Sequence, residues 1–114
     1  MAKLYCLHEI ELRPGVSPAE FEKVVAEAKE SPDYEGWTTH LLKGERGERN
    51  GKYLVLFEIE SIAARDRYAP TADGPYSAEA EEISSRNAEL WERWLKMATM
   101  PGADTVYTDY EVVM

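Results

Sequence analysis

His8 stands in the middle of the run Leu4-Tyr5-Cys6-Leu7-His8-Glu9-Ile10, on the same parity as Leu4, Cys6 and Ile10. An imidazole set among apolar neighbours loses water, stays neutral and can take a proton as a general base. The same placement also suits a core histidine satisfied by one hydrogen bond. Asn87 is the polar member of the stripe Ala80, Ile83, Asn87, Leu90, Trp91, Trp94 and Ala98. A buried carboxamide needs partners, which are backbone or water in one reading and the carbonyl of a bound molecule in the other. His8 and Asn87 are therefore the candidate catalytic pair. Trp91 and Trp94 offer broad apolar faces on the same stripe, and Trp37 opens another segment. They serve either as walls for a planar ligand or as core. Tyr53, Tyr68 and Tyr110 carry hydroxyls that can donate to a ligand or to backbone. Trp91, Trp94, Tyr53, Tyr68 and Tyr110 are the candidate substrate-binding residues.

Other chemistries find less support. Glu9, Glu11, Glu58, Asp109 and Glu111 could offer oxygens to a hard cation, or could be solvated or paired with Lys and Arg. Two histidines and one cysteine, without ligand spacing, do not suggest zinc. Gly44, Gly47 and Gly51 precede a strand-like segment and not a helix start, so they lack the geometry of a phosphate loop. There is no Gly-x-Ser-x-Gly elbow. The expectation is a site with no metal and no cofactor.

These residues must be positioned by one domain spanning residues 1–114. The formal net charge of -9, from 22 acidic against 13 basic residues, leaves no basic stripe for nucleic acid and disfavours an anionic membrane surface. The lone Cys6 excludes an internal disulfide framework and fits a reducing compartment. The opening Met-Ala-Lys-Leu-Tyr does not read as a secretory signal, so a cytoplasmic location is expected. No apolar run approaches the roughly 20 residues of a membrane-spanning helix.

Periodicity supplies the elements. Residues 3–12 alternate as a strand and end at Arg13-Pro14-Gly15. Ser17-Pro18-Ala19-Glu20 starts a helix with a capping box, and Phe21, Val24, Val25 and Ala28 form its buried stripe up to Pro32. A strand over 37–42 and another over 52–60 flank a charged, glycine-rich loop ending in Asn50-Gly51, expected to be a dispensable solvated tip. Ser61 caps a short helix over 62–68. Ser77 caps one long helix running to about Met97, and a last strand covers 105–113. The order is β-α-β-β-α-β with a small extra helix. It predicts a ferredoxin-like α+β fold: an antiparallel sheet, helices on one face and the first strand beside the third and fourth. On the uncovered face the alternation places Tyr5, Leu7, Leu54, Leu56 and Tyr107 together with Glu9, Glu11, Glu58, Asp109 and Glu111. An apolar patch there predicts a homodimer through that face.

Glu11-Leu12-Arg13-Pro14-Gly15-Val16-Ser17, Phe57-Glu58-Ile59-Glu60-Ser61 and Ala64-Arg65-Asp66-Arg67-Tyr68 resemble segments of the dimeric α/β-barrel superfamily. That superfamily includes Dabb, EthD-like and antibiotic-biosynthesis-monooxygenase-type proteins. The resemblance implies two sheets packed face to face, with a pocket in each subunit between sheet and helices. Dabb-type cyclases carry a His near the position of Cys6, whereas here His8 lies two residues later; haem-degrading relatives place a His on a helix, and neither main helix here has one. The implied activity is cofactor-independent oxidation or isomerisation of an aromatic or polyketide-like compound. His8 would be the base, Asn87 and a Tyr would polarise oxygen, and Trp91 and Trp94 would hold the ring. The alternative is a non-catalytic binding or stress-type dimer in which the same residues are only core.

Overall fold

The computed structural model describes residues 3–29, 34–72, 74–99 and 106–114. Strand β1 (Leu4–Ile10) alternates as its sequence requires: Leu4, Cys6, His8 and Ile10 are buried, while Tyr5, Leu7 and Glu9 are not. Helix α1 (Pro18–Lys29) starts where Ser17 accepts the Phe21 amide at 3.1 Å and Pro18 sits at its first position. Its Phe21, Val24 and Val25 are buried. Strands β2 (Trp37–Lys43) and β3 (Tyr53–Ile59) follow as an antiparallel pair. Helix α2 (Ile62–Tyr68) is capped by Ser61, whose Oγ accepts the Ala64 amide at 3.1 Å.

Four antiparallel strands form one open sheet in the order β2-β3-β1-β4, with β4 covering Tyr107–Glu111. The first strand lies between the third and the fourth. Phe21 meets Tyr53 and Trp94 edge-on, with ring centres 5.2 Å and 5.1 Å apart, and these residues join Ile10, Val25, Val55 and Ala98 in the main core. Burying an aromatic side chain of this size stabilises by about 1.5–3 kcal/mol. A second core of Leu4, Cys6 and Ile59 packs with Trp37 and Ala64. No helix of the described residues is long and apolar enough to cross a membrane.

The expected long helix after Ser77 is two helices, α3 (Ala78–Ser85) and α4 (Ala88–Met97). The break has a local cause. Ser85 turns its hydroxyl back to the Glu82 carbonyl at 2.8 Å, and the Asn87 amide bonds Ser84 three residues back at 3.0 Å. Ser and Asn side chains compete with the helical ladder in this way. Asn87 takes a non-helical conformation and begins α4 by accepting the Trp91 amide at 3.1 Å. The far end of α4 is tied to the end of β1, where Arg13 donates its amide to Met97 at 2.8 Å and Leu12 bridges Ala98.

Two surface expectations change. The loop between β2 and β3 is not a free tip. Arg49 folds back, donating to the Tyr53 carbonyl at 3.0 Å and lying 3.4 Å from Glu11 and 3.7 Å from Glu9. Tyr107, Asp109 and Glu111 do not share a face with Tyr5 and Leu7. They pair with His8, Cys6 and Leu4, and paired residues point the same way. Thr108 and Tyr110 take the outer face, opposite Leu7 and Tyr5. The alternation within β4 is as the sequence shows it, with the two faces exchanged.

Candidate functional site

A cavity of about 540 Å³ lies between the inner face of the sheet and the helices, within the ~300–1,000 Å³ usual for small-molecule sites. Strand pairing makes its floor a grid. One row runs Asp109, Cys6, Phe57, Thr39, and the next runs Tyr107, His8, Val55, Leu41. All eight residues line the cavity. Asp109, Cys6, Tyr107 and His8 form the β1–β4 corner, β3 contributes the apolar Val55 and Phe57, and Thr39 stands at the β2 edge.

Each polar floor group has a definite environment. His8 is 3% exposed, and its Nε2 lies 3.1 Å from the Cys6 sulfur. Its ring stacks on Tyr107 with centres 5.1 Å apart and meets the edge of Phe57 at 5.3 Å. Burial pulls the imidazole down to about 4, against a smaller upward pull from Asp109, so the ring is neutral at pH 7. Burial also pushes the Cys6 thiol up, and the neighbouring Asp109 carboxylate adds to this, so the sulfur is a protonated, unreactive group. Asp109 itself is held by Arg65, whose Nη1 is 3.3 Å from Oδ2, while the Arg65 Nε donates to Asp66 at 3.0 Å. Arg65 and Asp66 also line the cavity.

Aromatic rings from both the helices and the strand ends wall the cavity. All three tryptophans of the chain, Trp37, Trp91 and Trp94, line the cavity. Trp37 donates to the Ala64 carbonyl and Trp94 to the Thr99 carbonyl, each at 2.9 Å. The buried Trp91 Nε1 has no hydrogen-bond partner among the described residues. Tyr107 closes one side by donating its hydroxyl to the Ala72 carbonyl at 2.8 Å. Asn87 lines the cavity beside Ile83 and Ser84, with its amide nitrogen 3.4 Å from the Ile83 carbonyl.

The structure therefore brings His8, Asn87, Trp91 and Trp94 to one cavity. It places the three tyrosines elsewhere. Tyr53 is core, with its hydroxyl donated to the Glu22 carboxylate. Tyr68 is buried, stacked on Tyr34 with centres 4.3 Å apart, and its hydroxyl accepts the Glu35 amide at 3.1 Å. Tyr110 is 57% exposed on the outer face, because its partner across the ladder is Tyr5. The sequence pattern puts Tyr107 and Asp109 on the uncovered face, and Arg65 is not among its candidate site residues; all three line the cavity. No pattern within β4 could have found Tyr107 and Asp109, because only its register against β1 makes them neighbours of His8 and Cys6. No group of three or more His, Cys, Asp or Glu side chains able to hold a metal occurs among the described residues.

No family model, curated protein or solved structure matches the chain.

Proposed function

We propose that this chain is a small-molecule-binding protein of the ferredoxin-like, dimeric α/β-barrel kind, acting in the cytoplasm as a cofactor-independent oxygenase or isomerase on an aromatic or polyketide-like compound. The observation that carries the reading is the cavity. Its lining is mainly apolar and aromatic, with a polar cluster at the β1–β4 corner and further polar groups such as Asn87 and Thr39 elsewhere, a composition that suits a small-molecule site. The strand order β2-β3-β1-β4 with antiparallel neighbours supports the ferredoxin-like part. Half-buried Leu7, Leu54 and Leu56 on the face opposite the cavity support pairing of two sheets.

Because all three tryptophans line the cavity, their emission reports on its occupancy. Titration with 1,8-dihydroxyanthraquinone should quench it saturably, with one molecule bound per chain. Linear quenching without saturation, together with no heat of binding, removes the small-molecule reading.

One observation favours a non-catalytic binding protein. The His8 Nε2 is taken up by Cys6 and its ring is held between Tyr107 and Phe57, which leaves it poorly placed as a mobile base. Oxygen uptake with 1,8-dihydroxynaphthalene, an easily oxidised planar phenol, separates the two. A rate proportional to protein and lost in His8→Gln supports the oxygenase. Saturable binding with no rate above the protein-free control supports the binding protein.

A further inference from the structure

The β1–β4 corner carries paired charges inside a mainly apolar cavity. Asp109 and Arg65 are both lining residues, with side chains 24% and 30% exposed, so each is reachable from the cavity and partly shielded from water. An ionised carboxylate can accept about four hydrogen bonds. Arg65 engages Asp109 at Oδ2, and Cys6 faces Asp109 across the ladder. The Cys6 thiol also hydrogen-bonds this carboxylate, and the acceptor capacity left after Arg65 and Cys6 is what a donor entering the cavity would use. A cation in that place would meet the Arg65 guanidinium, and an anion would meet both Asp109 and Asp66. An uncharged O–H meets neither difficulty. The floor beside the carboxylate is made of rings, with His8 stacked on Tyr107 and set edge-on to Phe57.

Resting on the small-molecule reading of the cavity, we infer that Asp109, oriented by Arg65, selects the ligand: a neutral hydroxylated aromatic whose O–H donates to the carboxylate while its ring lies along Tyr107 and Phe57. Asp109 is thus the specificity-determining residue, and Arg65 is a positioning residue. The guanidinium keeps the carboxylate fixed where a ligand hydroxyl arrives, and a hydrogen bond to a carboxylate is a charge-assisted one.

Calorimetric titration of the intact protein at neutral pH with 2-naphthol, 2-methoxynaphthalene and 2-naphthoate tests this. The three probes share a ring and differ in offering a donor, no donor, or a negative charge. The naphthol should bind about tenfold more tightly than its methyl ether, the worth of one hydrogen bond to a charged acceptor. The naphthoate should bind more weakly than the ether. In Asp109→Asn the naphthol advantage should shrink to about twofold and the naphthoate should gain. Equal binding of naphthol and ether by the unaltered protein overturns the selection by Asp109 and leaves the cavity reading standing. No binding of any of the three removes both. A merely structural Asp109 would instead lower the affinity of all three probes in the variant alike. The series on the unaltered protein decides the matter even where the variant does not fold.

Discussion

His8 and Tyr107 face each other directly across the β1–β4 ladder, with their rings stacked at 5.1 Å between centres and 23° between planes. This stack buries an imidazole that must remain uncharged. The folded-state value of about 4 lies below the ordinary 6.5. The unfolded chain therefore binds the proton first as pH falls. The stability contributed by neutral His8 is complete above about pH 6.5 and is lost as pH falls through the window down to about 4. Its full size is about 3 kcal/mol at most. Denaturant midpoints measured at steps between these limits should fall with acid in the native protein. The slope should be visibly smaller in His8→Gln, and parallel curves would remove His8 as the cause.

Tyr53 donates its hydroxyl to Glu22, which joins a buried ring on β3 to the exposed face of α1. Burial and the carboxylate together push the phenol up to about 12, so it remains the donor throughout the working range. Tyr53→Phe should cost about 1 kcal/mol, and adding Glu22→Gln should then cost little more. A double-mutant cycle from urea unfolding gives the coupling directly. Additive losses would show that the bond contributes nothing to stability.

Gly44 is irreplaceable for a reason of space. A Cβ built there would stand 1.9 Å from the Arg49 carbonyl oxygen, which is backbone and cannot rotate away. The same residue donates to Lys52 and accepts from Gly51, both at 2.8 Å. Gly44→Ala should therefore open the base of the hairpin loop and cost about 1–3 kcal/mol. Amide exchange should rise at Gly51 and Lys52 first. Unchanged exchange at those two amides would contradict the account.

Dimerisation, as proposed, uses the sheet face opposite the cavity. Leu56 pairs with Leu7 near the middle of that face, and neither is fully buried in one chain. Sedimentation at micromolar concentration should give about twice the chain mass. Leu56→Asp should shift the protein toward the monomer while leaving tryptophan emission from the cavity side unchanged. A native protein that sediments as one chain would remove the dimer.

Much of this architecture was legible in the residues themselves. The parity of Leu4, Cys6, His8 and Ile10, the Ser17-Pro18 start and the Ser61 cap are local patterns, and local sterics and hydrogen bonds decide them. His8 could be assigned to the inner face because its parity mates are apolar. The division of the helix after Ser77 is also local, set by Ser85 and Asn87 competing for the backbone, but it is masked in the residues by an apolar stripe that resumes on both sides of Asn87. Tertiary structure decided two things. It withdrew Tyr53 and Tyr68 from the cavity by giving their hydroxyls protein partners far along the chain, Glu22 and Glu35. It also chose the inward face of β4. That strand alternates cleanly, but its inward residues include Asp109 and Glu111 and its outward ones Tyr110, so hydrophobicity points the wrong way. Only pairing with β1 sets the register, and a slip of one residue would exchange the faces. The polar inward set is tolerated because Asp109 meets Arg65 and a cavity, and so is spared an apolar core.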